Sequence, residues 1–239
     1  MYKIDPEGNS IQLIASTGGF SLGMAFDAEE NLYVCDNMHA AVFKLNTKSG
    51  ELVRFADGND RQKMKIPNFP VVDHKRSCLY VSDSYHFSEN GPGIWKVDLQ
   101  TGQSELWYGE AMRFANGLAL APDGHSLYAA ETFDRRISRL PILENGTAGQ
   151  KEEIARLEAL PDGLAIDREG NIYASCYEPS RLYKITSEGE VQLLIDDPEA
   201  HTLCHPTNCA FKGTEMYTTN LGRWHITKFE VGIEGADLF

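Results

Sequence analysis

The sequence predicts an all-β propeller, and three observations carry that prediction. First, one phrase recurs five times: "SLGMAFDAEENLYVCD" from Ser21, "PNFPVVDHKRSCLYVSD" from Pro67, "ANGLALAPDGHSLYAAE" from Ala115, "PDGLAIDREGNIYASC" from Pro161 and "PTNCAFKGTEMYTTN" from Pro206. The second residues of the phrases are Leu22, Asn68, Asn116, Asp162 and Thr207, spaced by 46, 48, 46 and 45 residues. A period of about 40–50 residues with several strands per unit is the signature of propeller blades. Second, each phrase is followed by a segment that alternates apolar and polar residues, the mark of half-exposed strands. Third, helical periodicity is missing, apart from a weak helical pattern around Lys151–Glu158.

Each unit reads as four strands in order. The first is short and apolar, as in Gly163-Leu-Ala-Ile166, which suits a strand buried on both faces near an axis. A turn rich in Pro, Asp, Gly and Asn follows, since those residues tolerate tight or left-handed geometry. The second strand reads apolar-Tyr-small: Leu32-Tyr33-Val34, Leu79-Tyr80-Val81 and Ile172-Tyr173-Ala174. The third alternates, as in Val42-Phe43-Lys44-Leu45, Ile94-Trp95-Lys96-Val97, Leu182-Tyr183-Lys184-Ile185 and Ile226-Thr227-Lys228-Phe229. A fourth, such as Val191-Gln-Leu-Leu-Ile195, closes the unit.

The opening "MYKID" matches the third strands "LYKIT" and "IWKVD", so Tyr2–Asp5 reads as a third strand and Ile11–Ala15 as a fourth. The expectation is a six-bladed propeller lacking the N-terminal half of its first blade: five full repeats plus a partial one. The last repeat shows no fourth strand after Ile226–Glu230. Closing six blades needs roughly 30–40 further residues upstream. The sequence is therefore expected either to belong to a longer chain or to expose strand edges that invite self-association.

Residues 1–239 read as a single propeller domain. Apolar content of 42% and charged content of 24% are those of a globular protein. A net charge of -13, with no basic run, argues against nucleic acid and anionic membrane as partners. No apolar run approaches the ~20 residues that span a bilayer, and no signal-peptide pattern opens the chain. The five cysteines fit no zinc spacing and sit in strand-like runs, which reads as buried reduced thiols and a cytoplasmic location.

Innermost propeller strands run the same way, so Leu22, Asn68, Asn116, Asp162 and Thr207 are expected to gather at one mouth of the central channel. One carboxylate and two carboxamides there are hard oxygen donors, suited to Ca²⁺ or Mg²⁺ rather than a thiolate metal. Asn-Gly and Asp-Gly are also ordinary turn dipeptides. Their recurrence at one register in three consecutive repeats favours a shared site.

The phrases "NGLALAPDGHSLYAAET", "PDGLAIDREGNIY" and "HPTNCAF…MYTTNLGRWHIT" resemble the family of gluconolactonases, senescence marker protein (regucalcin) and luciferin-regenerating enzyme over essentially the whole chain. The resemblance is more distant to paraoxonases and strictosidine synthase. It implies a divalent-metal-dependent lactonase, a hydrolase of a sugar lactone or similar small ester, with one divalent cation in the channel. Ca²⁺ suits that site best, with Mg²⁺, Mn²⁺ or Zn²⁺ as other choices. By the same resemblance Asn68, Asn116 and Asp162 ligate the metal and Asp162 is also the catalytic base. Asn68, Tyr85 and His86 fall to substrate binding; the last two lie on the long connection "VSDSYHFSENG". The family's first-blade Glu, in an "EGP" phrase, has no counterpart in this sequence. Leu22 stands where paraoxonase-like members carry a channel His, which disfavours that chemistry.

Other candidates carry less. Glu131 is placed to face the channel or to cap a turn, and Asp83 to wall the pocket. His205 and His225 read as structural, and Trp224 as packed between blades. No GxSxG elbow, phosphate loop or HExxH motif is present, and Cys204/Cys209 match no thiol motif. The rival function is a non-catalytic propeller scaffold, since fold does not fix chemistry. A strictosidine-synthase-like condensing enzyme lacks a recognisable catalytic Glu.

Overall fold

A computed structural model describes residues 1–237. Five antiparallel sheets follow the five phrases. Blade one holds β3 (Ser21–Phe26), β4 (Asn31–Asp36), β5 (Ala41–Asn46) and β6 (Leu52–Ala56). Blade two holds β7 (Pro67–Asp73), β8 (Cys78–Asp83), β9 (Gly91–Asp98) and β10 (Ser104–Met112). Blade three holds β11 (Ala115–Leu120), β12 (Ser126–Glu131), β13 (Arg136–Pro141) and β14 (Glu152–Arg156), with a 3-10 turn at Thr132–Asp134. Blade four holds β15 (Leu160–Ile166), β16 (Ile172–Glu178), β17 (Ser180–Ile185) and β18 (Val191–Asp196). Blade five holds β19 (Pro206–Lys212), β20 (Glu215–Asn220) and β21 (Ile226–Glu230). The chain opens with a separate hairpin, β1 (Tyr2–Ile4) and β2 (Ile11–Leu13).

The core lies between sheets rather than inside one. One buried cluster joins blades one and two around Tyr33, Val81 and Trp95, and another joins blades three and four around Ile137, Leu164 and Ile172. Such stacking buries both faces of the middle strands, so β4 and β8 are buried along their whole length. The inner strands pack side by side in the order β3, β7, β11, β15, β19. That approach requires Gly117: a Cβ there would run into the Asp162 carbonyl and the Gly163 Cα on the next strand.

The tight turn after the first strand is built alike in blades one and four. Asp27 accepts from the Asn31 backbone N–H and amide and, at 3.1 Å, from the Tyr33 hydroxyl. Asp167 does the same with Asn171 and Tyr173. Each buried phenol thus finds its acceptor, which a buried Tyr needs.

Two expectations are corrected here. Lys151–Glu158 is not helical: Glu152–Arg156 is the outer strand of blade three, paired with β13. Its spaced charges solvate one face of an edge strand, which mimics a helical period. Trp224 does not pack between blades but is fully exposed on the β20–β21 connection. The five free cysteines are buried, and no helix among the described residues is long and apolar enough to cross a membrane.

Candidate functional site at the channel mouth

The ladder between the first and second strand of every blade is interrupted at an equivalent place. Register shifts fall between Ser21 and Met24, Pro67 and Pro70, Ala115 and Leu118, Pro161 and Leu164, and Pro206 and Asn208. The five residues of the sequence register, Leu22, Asn68, Asn116, Asp162 and Thr207, lie inside these irregularities. A bulge frees a residue from the ladder and re-aims its side chain. The repeated distortion therefore presents five side chains at equivalent points of five adjacent inner strands.

Two hydroxyls set the amides. Ser84 Oγ donates to the Ala115 carbonyl at 2.7 Å, and Asn68 Nδ2 lies 2.9 Å from the same Oγ. A carbonyl only accepts, so the Ser84 proton is spent on Ala115 and only lone pairs face Asn68. The Asn68 NH₂ must therefore be the group on Ser84, and its Oδ1 points away. Blade three repeats the device: Thr132 Oγ1 donates to the Pro161 carbonyl at 2.7 Å and accepts from Asn116 Nδ2 at 3.0 Å. Asn116 is buried, and its Oδ1 has no hydrogen-bond partner. A buried unpaired acceptor costs about 1–3 kcal/mol, so this one points to an absent donor or cation.

Asp162 stands beside it. Protein surrounds the carboxyl closely, although the residue keeps some accessible surface, as a group facing channel space does. Burial pushes its pKa up to about 8, and the Asn116 amide is the hydrogen-bond donor that opposes the rise. Burial, and secondarily the Asp162 charge, also raises the half-buried Tyr177 hydroxyl and the Cys176 thiol. Burial pushes the nearby Cys209 thiol up to about 12, so these thiols remain protonated.

The structure thus brings Asn116 and Asp162 together, with Asn68 at the equivalent point two strands from Asp162. Tyr85 and His86 stand on the connection after β8, directly following Ser84. Tyr85 is left-handed (φ 61), half-buried and packed on Gly91; His86 is exposed, its Nδ1 accepting from the Ser88 N–H at 3.2 Å. Glu131 does not face the channel. It is fully buried between Arg136 at 2.7 Å, Lys151 at 3.0 Å and Ser138 at 2.6 Å. Asp83 walls no pocket either, since it accepts from the Lys65, Ile66 and Tyr85 backbone N–H groups and from the Trp95 indole. His205 and His225 spend a ring nitrogen on the Tyr177 and Thr202 carbonyls. No cluster of three or more His, Cys, Asp or Glu able to hold a metal occurs among the described residues. Any cation here would rest on one carboxylate plus amide oxygens.

Sequence reasoning missed Ser84, Thr132 and Tyr177. Their signal was the residue after the second-strand phrase: Ser after "VSD", Thr after "AAE" and Tyr after "ASC".

A family model described as the SMP-30/Gluconolactonase/LRE-like region matches residues 1–221. A gluconolactonase from Zymomonas mobilis is 24% identical over 226 residues, covering 82% of this chain and 60% of that protein. The chain spans about half the length of the curated relatives it matches, 43%, 44% and 60% for three of them. A putative gluconolactonase structure superposes with a TM-score of 0.83 at 18% identity, covering 99% of this chain and 82% of that one. The structure of a regucalcin from Agrobacterium tumefaciens, described as a calcium-binding protein, gives a TM-score of 0.61 at 17% identity, with 91% of each chain covered. Both structures are similar in fold.

Proposed function

The chain belongs to the SMP-30/gluconolactonase/LRE-like family, and from that premise we propose a divalent-cation-dependent lactonase acting on a sugar lactone or a similar small cyclic ester. One observation carries the reading: the buried, unpaired Asn116 Oδ1 beside an enclosed carboxyl raised to about 8. A hard cation satisfies both at once, because it binds lone pairs and stabilises the ionised acid. The residues present therefore fit such an ion, with Asp162, Asn116 and Asn68 holding it and Ca²⁺ the best match to their oxygens. A non-catalytic scaffold has no use for an acceptor left unpaired by a dedicated hydroxyl.

A cation held by Asp162, Asn116 and Asn68 would supply Lewis-acid polarisation of the ester carbonyl and neutralisation of developing charge. Asp162 takes a proton from the water that attacks the carbonyl carbon, then gives it to the ring oxygen as the acyl C–O bond breaks. The product is the open hydroxy acid. Ser84 and Thr132 each hold an amide NH₂, so the amide oxygens stay free, while the Asn116 NH₂ also serves Asp162. Tyr177 remains a protonated hydroxyl able to hydrogen-bond the substrate. The buried free thiols favour a reducing compartment such as the cytoplasm.

We assign the β1–β2 hairpin to the outer half of a sixth blade in the same domain. Ile14 and Ala15 pack with Leu32, Val34 and Leu45 of blade one, while Glu7 acts electrostatically on Tyr217 and Lys228 of blade five. Supporting that position, no packing like that of neighbouring inner strands joins β19 to β3 among the described residues.

Glucono-δ-lactone hydrolysis with and without Ca²⁺, after chelation, tests the function. Cation-dependent turnover is expected. Turnover indifferent to chelation, or none at any divalent cation, overturns it.

A further inference from the structure

Blade four departs from its neighbours beside Asp162. Its first-to-second-strand ladder alone carries a further register shift: Leu160 faces Glu178 and Pro161 faces Cys176, which leaves Tyr177 as the extra residue of a bulge. A bulged residue leaves the ladder and its side chain is re-aimed, a device common beside active sites. Tyr177 also follows the strand at the place that Ser84 and Thr132 hold in blades two and three. Those two hydroxyls touch the register side chains of their own blades, Asn68 and Asn116. In blade four the register side chain is Asp162, and its charge acts on the Tyr177 hydroxyl. That hydroxyl makes no hydrogen bond among the described residues, and Tyr177 keeps part of its surface accessible.

The carbonyl of the bulged residue is taken across the blade boundary. His205, on the connection into β19, donates its Nδ1–H to the Tyr177 carbonyl at 2.7 Å, since a carbonyl only accepts. Its backbone N–H donates to Ser180 Oγ at 3.0 Å, and Ser180 is the residue that Tyr177 faces on β17. One residue leading into blade five thus holds both arms of the turn that carries Tyr177. The other four repeats place Phe20, Ile66, Phe114 and Leu160 at the His205 position, so the polar ring is particular to this boundary. His205 is left-handed (φ 53), a conformation that Asn and Gly tolerate.

We propose that the Tyr177 hydroxyl donates a hydrogen bond to the lactone carbonyl oxygen as it becomes the oxyanion of the tetrahedral intermediate, with His205 as the residue that positions it. The phenol keeps its proton throughout, so Asp162 alone moves protons. A donor held beside the base suits this task, because its bond strengthens as negative charge builds and nothing has to reorganise. Burial, and secondarily the Asp162 charge, hold the phenol in its protonated form. The proposal rests on the lactonase reading and adds to it a catalytic residue that is not a ligand of the cation.

The test measures glucono-δ-lactone hydrolysis in the presence of Ca²⁺, alongside calorimetric binding of calcium and of a cyclic six-membered phosphonate, a tetrahedral anion. Tyr177→Phe should lower kcat about 10²-fold, the usual cost of losing one oxyanion donor, with KM within about threefold and calcium affinity within about twofold. Phosphonate binding should weaken at least about tenfold. His205→Gly, which suits the backbone but removes the donor, should lower kcat at least about tenfold. His205→Asn, whose Nδ2 replaces Nδ1, should recover most of that loss. Added to Tyr177→Phe, His205→Gly should cost less than about threefold more, because one acts through the other. A Tyr177→Phe variant within about threefold of the parent in kcat overturns the donor and leaves the lactonase. A Gly variant as fast as the parent, an Asn variant as slow as Gly, or losses that multiply in the double variant overturn the positioning role of His205. No lactone hydrolysed, with phosphonate binding that depends on Tyr177, overturns the lactonase and leaves an anion donor. No lactone hydrolysed, with phosphonate binding absent or indifferent to Tyr177, overturns both.

Discussion

Glu131 and Asp162 lie on neighbouring blades, each enclosed by protein, and their surroundings could hardly differ more. Burial alone would raise the Glu131 carboxyl, yet Arg136, Ser138 and Lys151 together hold it below the usual carboxylate range. Those partners come from β13 and from the loop before β14, so this carboxylate ties the strands of blade three together. Asp162 has no such cation; burial raises it to about 8 against a single amide donor. A chain able to neutralise one buried acid with two basic side chains leaves the next one short of charge. The difference separates a carboxylate the fold satisfies itself from one it leaves without a counter-charge.

The sharpest way to break that distinction is to remove each charge. Asp162→Asn keeps size and hydrogen bonding but deletes the base, so kcat/KM for lactone hydrolysis should fall about 10³-fold. The fold should survive, and the cation-free variant should melt higher than the parent protein at pH 8. A variant that keeps full turnover would place the chemistry elsewhere.

Glu131→Gln should do the reverse. Leaving Arg136 and Lys151 without their buried counter-charge costs about 3 kcal/mol, a Tm lowered by about 6–12 °C in a chain of this size. Calcium affinity, read by calorimetry, should stay within a factor of two. A large loss of affinity in this variant would mean that Glu131 belongs to the site after all.

These two acids also show what the sequence makes legible. The blades were readable because a repeat forces the same strand–turn–strand pattern at one spacing, and Asn68, Asn116 and Asp162 were readable because they share its register. Glu131 shares another register, that of the last residue in the second strand, and nothing local told it from a channel residue. Its partners Lys151 and Arg136 lie at other spacings, and only strand pairing brings them to it. The same holds for Trp224, whose apolar character suggested burial although the connection that carries it stands in solvent. Lys151–Glu158 misled for a related reason: charges on an edge strand and its flanks follow solvent exposure, not helical period.

Between these extremes lies the device that turns the Asn116 oxygen outward. Thr132→Val preserves shape but removes both the acceptor for Nδ2 and the donor to Pro161. The amide is then free to flip its NH₂ toward the site. Loss of a group that orients a ligand typically weakens metal affinity 10–100-fold, and about tenfold is expected here by calcium titration. Thr132→Ser, which retains the hydroxyl, should restore most of it. Equal affinity in the Val variant would show that the amide orientation is fixed by something else.

The dependence on pH is the most diagnostic, because it assigns opposite signs to the two acids. Without a cation, native Asp162 holds its proton up to about pH 8, whereas the unfolded chain releases it near the ordinary value of 3.8. Between those limits the native state binds more protons, so stability falls as pH rises through the window. Glu131 is lowered instead, so its contribution is present above the ordinary carboxylate range and is lost on acidification. In the proposed site calcium needs the Asp162 carboxylate, and below pH 8 its binding would expel that proton. Apparent affinity should then rise about tenfold per pH unit between roughly pH 5 and 8 and level off above. Calorimetry at pH 6.5 in two buffers of different ionisation heat should count about one proton released per calcium bound. At pH 9 it should count none, and Asp162→Asn should release none at either pH. Release at pH 6.5 that persists in Asp162→Asn would move the titrating group to another residue. Absence of release in the parent protein would show that Asp162 is already ionised, and the contrast with Glu131 would then be one of position rather than of charge.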